Sequence, residues 1–141
     1  MPVSRKLLCA VYATIAIAAL IATWSQNAAY FNNIAGFFKD FTVDTKVTPA
    51  SRSITVDILF FFLAAAIFMV IEARKHGVRF VWAYIVGGAL IAISVTFPLF
   101  LLARELRLAT TDAARLKVVD VIPLILIAAL IVGLVIYVDV L

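Results

Sequence analysis

Four long runs of apolar residues, separated by polar stretches, organise this chain. Only two charged side chains interrupt them, Asp57 in the second run and Asp120 in the fourth. A helix needs about 17–25 apolar residues to cross the hydrocarbon of a bilayer, and it satisfies its backbone hydrogen bonds within one segment. The pattern predicts an all-α, integral membrane four-helix bundle, a single domain over residues 1–141 with spans at residues 7–24, 54–71, 80–103 and 118–138.

The first apolar run also admits a second interpretation. Arg5 and Lys6 precede it, and Asn27, Ala28 and Ala29 follow it, an arrangement that resembles a secretory signal peptide. Asn27 stands where cleavage requires a small residue. We therefore favour a helix that is retained.

The loop between the first two runs repeats apolar residues at spacings of three and four. On a helix these side chains fall within an arc of about 120°, with polar residues opposite. The pattern predicts a short interfacial amphipathic helix that lies in the headgroup plane, or alternatively a helix packed across the mouth of the bundle. Its apolar members are Tyr30, Phe31, Ile34, Phe37, Phe38 and Phe41.

Two helix starts carry capping residues. Thr48 followed by Pro49 predicts an N-cap with proline at the first helical position, so the second helix begins before its apolar run. Thr111 and Asp112 predict the same kind of start for the fourth helix.

Composition places the protein in lipid. Hydrophobic residues make up 66% of the chain and charged residues 14%, where soluble domains carry about 25% charged residues. The net charge of +4 comes from basic residues that flank the apolar runs, so we expect them to meet lipid phosphates and expect no nucleic-acid partner. Cys9, the single cysteine, can form no internal disulfide.

Charge leaves the orientation open. If all four runs cross the bilayer, the first and third loops share one side. The N-terminal side then carries Arg5, Lys6, Arg74, Lys75 and Arg79, and the other carries Lys39, Lys46, Arg52, Arg104, Arg107, Arg115 and Lys117. This count favours an external N-terminus, whereas the Arg5-Lys6 pair directly before the first helix favours a cytoplasmic one, which we prefer.

Four crossings of the bilayer, with the first and third loops on one side, predict one polar cluster inside the membrane. A carboxylate in hydrocarbon costs about 2.5–3.5 kcal/mol on insertion scales, so Asp57 should find a partner or water. We expect either an ion, proton or headgroup site or, in preference, a structural ion pair between Asp57 and Arg104. The candidate members of the cluster are Asp57, Ser94, Pro98, Arg104 and Asp120.

A candidate basic turn lies at the opposite end of the predicted bundle. Its members are Glu72, Arg74, Lys75 and Arg79. We interpret His76 in this turn as a solvated loop residue, and expect Asp139 to pair with a nearby cation. One histidine and one cysteine cannot build a usual zinc site, and no phosphate-binding glycine loop or nucleophilic triad is visible. We therefore expect no enzyme and no cofactor.

The middle of the chain, Asn33 to Leu108, resembles a bacterial family of small membrane proteins known as domain of unknown function 2834. The likeness lies in the Phe37-Phe38 region with Val56-Asp57-Ile58-Leu59, in the turn from Met69 to Arg79, and in the run from Ile93 to Glu105. It implies an integral membrane location, about three spans with the fourth helix as an addition, and no assigned activity. The positions singled out above that it also covers are Asp57, Glu72, Pro98 and Arg104.

Two functions are consistent with these features. The first is a small non-catalytic subunit of the cell (inner) membrane that packs against a larger membrane complex or against itself. It rests on small residues spaced by four, such as Ala18 and Ala22 or Gly88 and Ala92, which let helices approach closely. The alternative is a small transporter, channel or lipophile-binding protein that uses a polar pocket around Asp57. Membrane lipids are expected partners of either.

Overall fold

The computed structural model describes residues 3–108 and 116–141. In chain order the elements are α1 Val3–Asn27, a 3₁₀ helix Ala28–Asn33, α2 Phe37–Asp44, α3 Pro49–His76, α4 Val81–Gly87, a π-helical turn Gly88–Ala92, α5 Ile93–Arg107 and α6 Val118–Val140. No strand occurs in the described ranges, which confirms the all-α class. Four segments are long and apolar enough to cross a membrane: Ser4–Asn33, Pro49–His76, Val81–Arg107 and Val118–Val140.

The predicted start of α3 is confirmed. The Thr48 hydroxyl accepts the backbone N–H of Ser51 at 3.0 Å, the Ser51 hydroxyl accepts the N–H of Thr48 at 3.1 Å, and Pro49 opens the helix. These contacts satisfy two N–H groups that the first turn of a helix leaves free. The corresponding prediction for Thr111 and Asp112 lies outside the described residues.

A tight reversal joins α3 to α4. Gly77 closes α3 at φ 71°, a left-handed conformation that glycine adopts at no steric cost. The N–H of Val78 then bonds to the carbonyl of Ala73 at 3.1 Å, which caps the helix end. Phe80 also adopts a left-handed conformation, at φ 61°, immediately before α4. The chain therefore turns back within four residues.

The third apolar segment folds back on itself as a helical hairpin. At Ala92 the backbone is extended, with φ −176° and ψ 137°, so the helical path breaks there. Tyr84 of α4 and Phe100 of α5 have ring centroids 5.8 Å apart. In one straight helix they would be separated by about 24 Å along the axis. Helices α4 and α5 therefore lie side by side and antiparallel, with the π-helical turn at the tip.

The hairpin tip lies against the end of α1. The indole nitrogen of Trp24 donates to the carbonyl of Ile91 at 3.0 Å, so a carbonyl next to the break keeps a partner. Such a partner is needed wherever a helix is interrupted at membrane depth. The hairpin packs chiefly on α1 and on the last part of α3. The main buried apolar cluster there consists of Met69, Ala73, Val78, Val81, Ile85, Ile93 and Phe100.

The bundle has two distinct ends. We call the end that contains Arg5, the α3–α4 turn and the last turn of α5 the basic end. We call the end that contains Trp24, the hairpin tip and α2 the aromatic end. The last turn of α6 lies at the aromatic end, because the side-chain amide of Gln26 donates to the carbonyl of Asp139 at 3.4 Å.

This arrangement changes the predicted assignment of the loops to the two sides of the membrane. Helices α1 and α3 run between the two ends and α6 ends at the aromatic end, whereas the hairpin enters and leaves at the basic end. The third loop begins at Leu108, whose carbonyl accepts from Arg5 at 3.1 Å, and so starts at the basic end. The first loop lies at the aromatic end. The expectation that these two loops share one side is therefore wrong, since it assumed a straight third segment.

Candidate functional site

A buried ion pair closes the basic end. The Arg5 Nε donates to the Glu105 Oε1 at 3.1 Å, and a terminal nitrogen of Arg5 donates to the backbone carbonyls of Glu105 and Leu108. Arg5 is 9% exposed and Glu105 4% exposed. Removing one partner of a buried pair leaves an uncompensated charge, at a cost of about 3–5 kcal/mol. The pair therefore fixes the start of α1 to the end of α5.

A second polar group joins α3 to α5 at the same end. The Arg104 Nε donates to the Glu72 carboxylate, and the His76 Nε2 lies 3.4 Å from that carboxylate. The His76 side chain is 10% exposed, so the interpretation as a solvated loop residue is wrong. The helical spacing of four residues brings it back over Glu72. The remaining members of the predicted basic turn are exposed: Arg74, Lys75 and Arg79.

The structure does not bring Asp57 to Arg104. Asp57 precedes Glu72 by fifteen residues on the same helix, a distance of about 22 Å along its axis. Arg104 pairs with Glu72, so it lies at the basic end, whereas Asp57 lies in the half of α3 that begins at the aromatic end. The preferred ion pair is therefore wrong, because the hairpin returns Arg104 to the other end of the bundle.

The other members of the predicted polar cluster are also dispersed. Ser94 is exposed near the start of α5, and Pro98 is buried in α5, which continues through it as a helix. Asp120 is exposed in the first turn of α6, nineteen residues from Asp139 at the aromatic end. Five residues expected in one pocket thus occupy separate places.

A cluster of aromatic rings builds the aromatic end. Phe37 lies at its centre, with neighbouring ring centroids at 5.3–6.3 Å; these neighbours are Trp24, Tyr30, Phe31, Phe38 and Phe41. The predicted amphipathic helix is divided into the 3₁₀ helix and α2. Ile34, between the two, is 79% exposed and Phe38 is 62% exposed. Part of the apolar face therefore packs on Trp24, and part remains uncovered.

An apolar cleft of about 840 Å³ opens beside the hairpin tip. We call it the lateral cleft. Its walls come from α1, α3, the tip and α6, and include Ile58, Phe62, Leu134 and Val135. Its volume lies within the 300–1,000 Å³ usual for small-molecule sites, which are also mostly apolar with a few polar groups. The polar residues that line it are Thr23, Gln26, Asn27, Thr55, Ser94 and Asp139.

Asp139 gives the lateral cleft its only described charge. It is half-buried in the last turn of α6, and no Lys or Arg lies in that turn. A carboxylate at a helix C-terminus meets the negative end of the helix dipole. The expectation that Asp139 pairs near the basic turn is wrong, since α6 ends at the aromatic end.

Sequence reasoning missed the hairpin and the cleft that depends on it. One signal was available, because the adjacent Gly87 and Gly88 lie inside an uncharged run of 24 residues. Glycine-containing pairs are frequent sites of sharp bends in helices. In the structure a Cβ on Gly88 would lie 2.9 Å from the end of the Ile93 side chain and 3.0 Å from Phe62, so neighbouring side chains would have to shift to admit a larger residue at the tip.

Residues 3–108 and 116–141 were searched for side chains that could hold a metal ion. They contain no group of three or more His, Cys, Asp or Glu side chains arranged to hold an ion.

Comparison with known proteins identifies one family. The family model described as "Protein of unknown function DUF2834" matches residues 11–106. The match begins within α1 and ends in the last turn of α5, so it includes the hairpin and leaves α6 outside. No curated protein and no solved structure matches the chain.

Proposed function

The chain belongs to the DUF2834 family, whose function is unknown, and we propose that it is a non-catalytic membrane subunit that binds another membrane protein through α3. The observation that carries this proposal is the position of Asp57. It is exposed on α3, and the structure shows no hydrogen bond or ion pair to it from the described residues.

The surroundings of Asp57 are apolar. Phe60, one turn further along α3, is 70% exposed, and Ile54, one turn before, is 69% exposed. A carboxylate that faces hydrocarbon at such a position costs about 2.5–3.5 kcal/mol on insertion scales, and intramembrane charges usually face other protein groups or water. A protein partner against this face would remove Asp57 from the lipid.

Charge indicates the chemistry of this partner. The partner helix should carry an Arg or Lys about one turn below the membrane surface, where it can meet Asp57. A two-fold dimer of this chain through the same face would place one Asp57 against the other, and two like charges at close range repel. Ala64, exposed two turns beyond Asp57, leaves room for close helix approach. We therefore favour a different protein over a second copy.

The proposal includes a location in the inner membrane of a bacterium. Four apolar segments support a membrane location. The absence of a catalytic role is likewise part of the proposal. It is supported by the polar groups of the basic end, where Arg5 pairs with Glu105 and Arg104 with Glu72, so that these groups link helices.

The experiment is a cross-link followed by a charge exchange. A photoreactive amino acid replaces Phe60, and the partner captured in intact membranes is identified by mass spectrometry. The same probe at Trp82, which is 59% exposed on α4, is the matched control and should not capture that partner. On a native-detergent sizing column, the Asp57→Asn variant should then elute without the partner, because the complex no longer forms.

A reciprocal exchange makes the test specific. Asp57→Arg should also abolish the complex, and changing the partner's basic residue to Glu should restore it. A chain that elutes as a lone monomer, a complex that survives Asp57→Asn, or a cross-link only to a second copy of the chain would each overturn the proposal.

A further inference from the structure

The lateral cleft is open on the surface of four apolar segments, and the kind of molecule that can fill it follows from its walls. Ile58, Phe62, Leu134 and Val135 offer only hydrocarbon, and apolar cavities do not retain water. The neighbouring medium that can fill such a space in a membrane is a hydrocarbon chain. The hairpin tip and α6 form two of the walls, so the cleft exists because Ala92 breaks the third segment.

The polar end of the cleft selects among headgroups. Asp139 is the single charged residue among those that line it, and no Lys or Arg lines it within the described part of the chain. The dipole of α6 adds negative potential at the same place. A headgroup that carries only negative charge is therefore repelled, whereas an ammonium group gains an opposite charge at Asp139.

Neighbouring groups complement the rest of such a headgroup. The side-chain amide of Asn27 and the hydroxyl of Ser94 line the cleft, and no bond from either side chain occurs to another described residue. Both can donate hydrogen bonds to a phosphate or ester oxygen. The cleft thus combines apolar walls, neutral donors and one carboxylate.

We propose that the lateral cleft binds one membrane lipid with an amine-bearing headgroup, its ammonium at Asp139 and an acyl chain between α3 and α6. This site is separate from the Asp57 face of α3. On a helical wheel Asp57 lies about 150° from the centre of the residues of α3 that line the cleft, Thr55, Ile58, Leu59 and Phe62. The lipid site therefore does not depend on the proposed protein partner.

The test is native mass spectrometry of the full-length chain in mild detergent. Phosphatidylethanolamine and phosphatidylglycerol with identical acyl chains are added at equal concentration. We expect one retained phosphatidylethanolamine per chain and at least a ten-fold preference over phosphatidylglycerol. Asp139→Asn should abolish the preference, because it removes the charge without changing the size of the side chain. Asp120→Asn, the same change at the other end of α6, should leave the preference intact.

A second pair of variants tests the cleft itself. Val135→Trp places an indole in the cleft and should prevent retention of either lipid. Val132→Trp lies on the same helix outside the cleft and should have no effect. Equal retention of both lipids, an unchanged preference in Asp139→Asn, or unchanged retention in Val135→Trp would each overturn the proposal, whatever the fate of the Asp57 complex.

Discussion

A single threonine shows how the hairpin alters local hydrogen bonding. Four of the described threonines bond to the carbonyl four residues earlier at 2.6–2.8 Å, namely Thr14, Thr23, Thr42 and Thr55. Thr96 is 7% exposed, and its hydroxyl has no partner among the described residues. The residue four positions earlier is Ala92, where the helical path breaks and the backbone is extended. A buried polar group without a partner is destabilising.

Thr96→Val should therefore stabilise the protein or leave it unchanged, within about 1 kcal/mol, since valine keeps the shape and removes the unpartnered hydroxyl. Thr23→Val, which loses a real bond to Ala19, is the control and should be neutral or destabilising. Thermal unfolding in detergent, followed by circular dichroism, measures both. A clear loss of stability in Thr96→Val would indicate that the hydroxyl has a partner in the membrane.

At the scale of elements, the hairpin depends on a close approach at its tip. Gly88 faces Ile93, Phe62 and Thr96, and an added Cβ would lie 2.9–3.0 Å from each of them. Such contacts force neighbouring side chains or the backbone to move. The small-residue spacing in the third segment therefore serves packing of the segment on itself and on α3.

Gly88→Ala should lower the free energy of unfolding by about 1–3 kcal/mol through overpacking. Gly133 in α6 is the matched control, because a Cβ there meets nothing within 4 Å. Gly133→Ala should be neutral or stabilising, since alanine favours a helix more than glycine does. Denaturant titration in mixed micelles compares the two. Equal effects would contradict the close packing of the tip.

At the level of the whole molecule, the hairpin changes which positive charges share one end, and so changes the expected orientation in the membrane. Among the described Lys and Arg residues, seven lie at the basic end and three at the aromatic end. Those at the basic end are Arg5, Lys6, Arg74, Lys75, Arg79, Arg104 and Arg107. Positive charge concentrates on the cytoplasmic side of membrane proteins. The basic end, with the start of α1, is thus expected to be cytoplasmic.

Labelling of single cysteines in intact cells should therefore place the two ends of the chain on opposite sides of the membrane. In a Cys9→Ala background, His76→Cys and Leu116→Cys should resist an impermeant thiol reagent, whereas Asn33→Cys and Leu141→Cys should react. Four straight crossings would instead make Asn33→Cys and Leu116→Cys behave alike. Lysis before labelling is the control for access to each cysteine.

Some of this structure was predictable because it depends on neighbours along the chain. The start of α3 follows from Thr48 and Pro49, which act within one turn. The pairing of Glu72 with Arg104 was not predictable, since it depends on the direction in which α5 leaves the tip. The pair of Arg5 and Glu105, separated by one hundred residues, joins segments whose relative placement no local pattern specifies.

The apolar character and the helical state of this protein follow from its amino-acid order, because each apolar run favours lipid and each helix satisfies its own backbone. Which polar groups meet, and where a ligand can enter, depends on how the helices pack in three dimensions. The extended backbone at Ala92 reverses the third segment, carries Arg104 to Glu72 and leaves Asp57 on the surface. A change in direction at one residue costs little locally, so the packing of the hairpin against α1 and α3 determines the outcome.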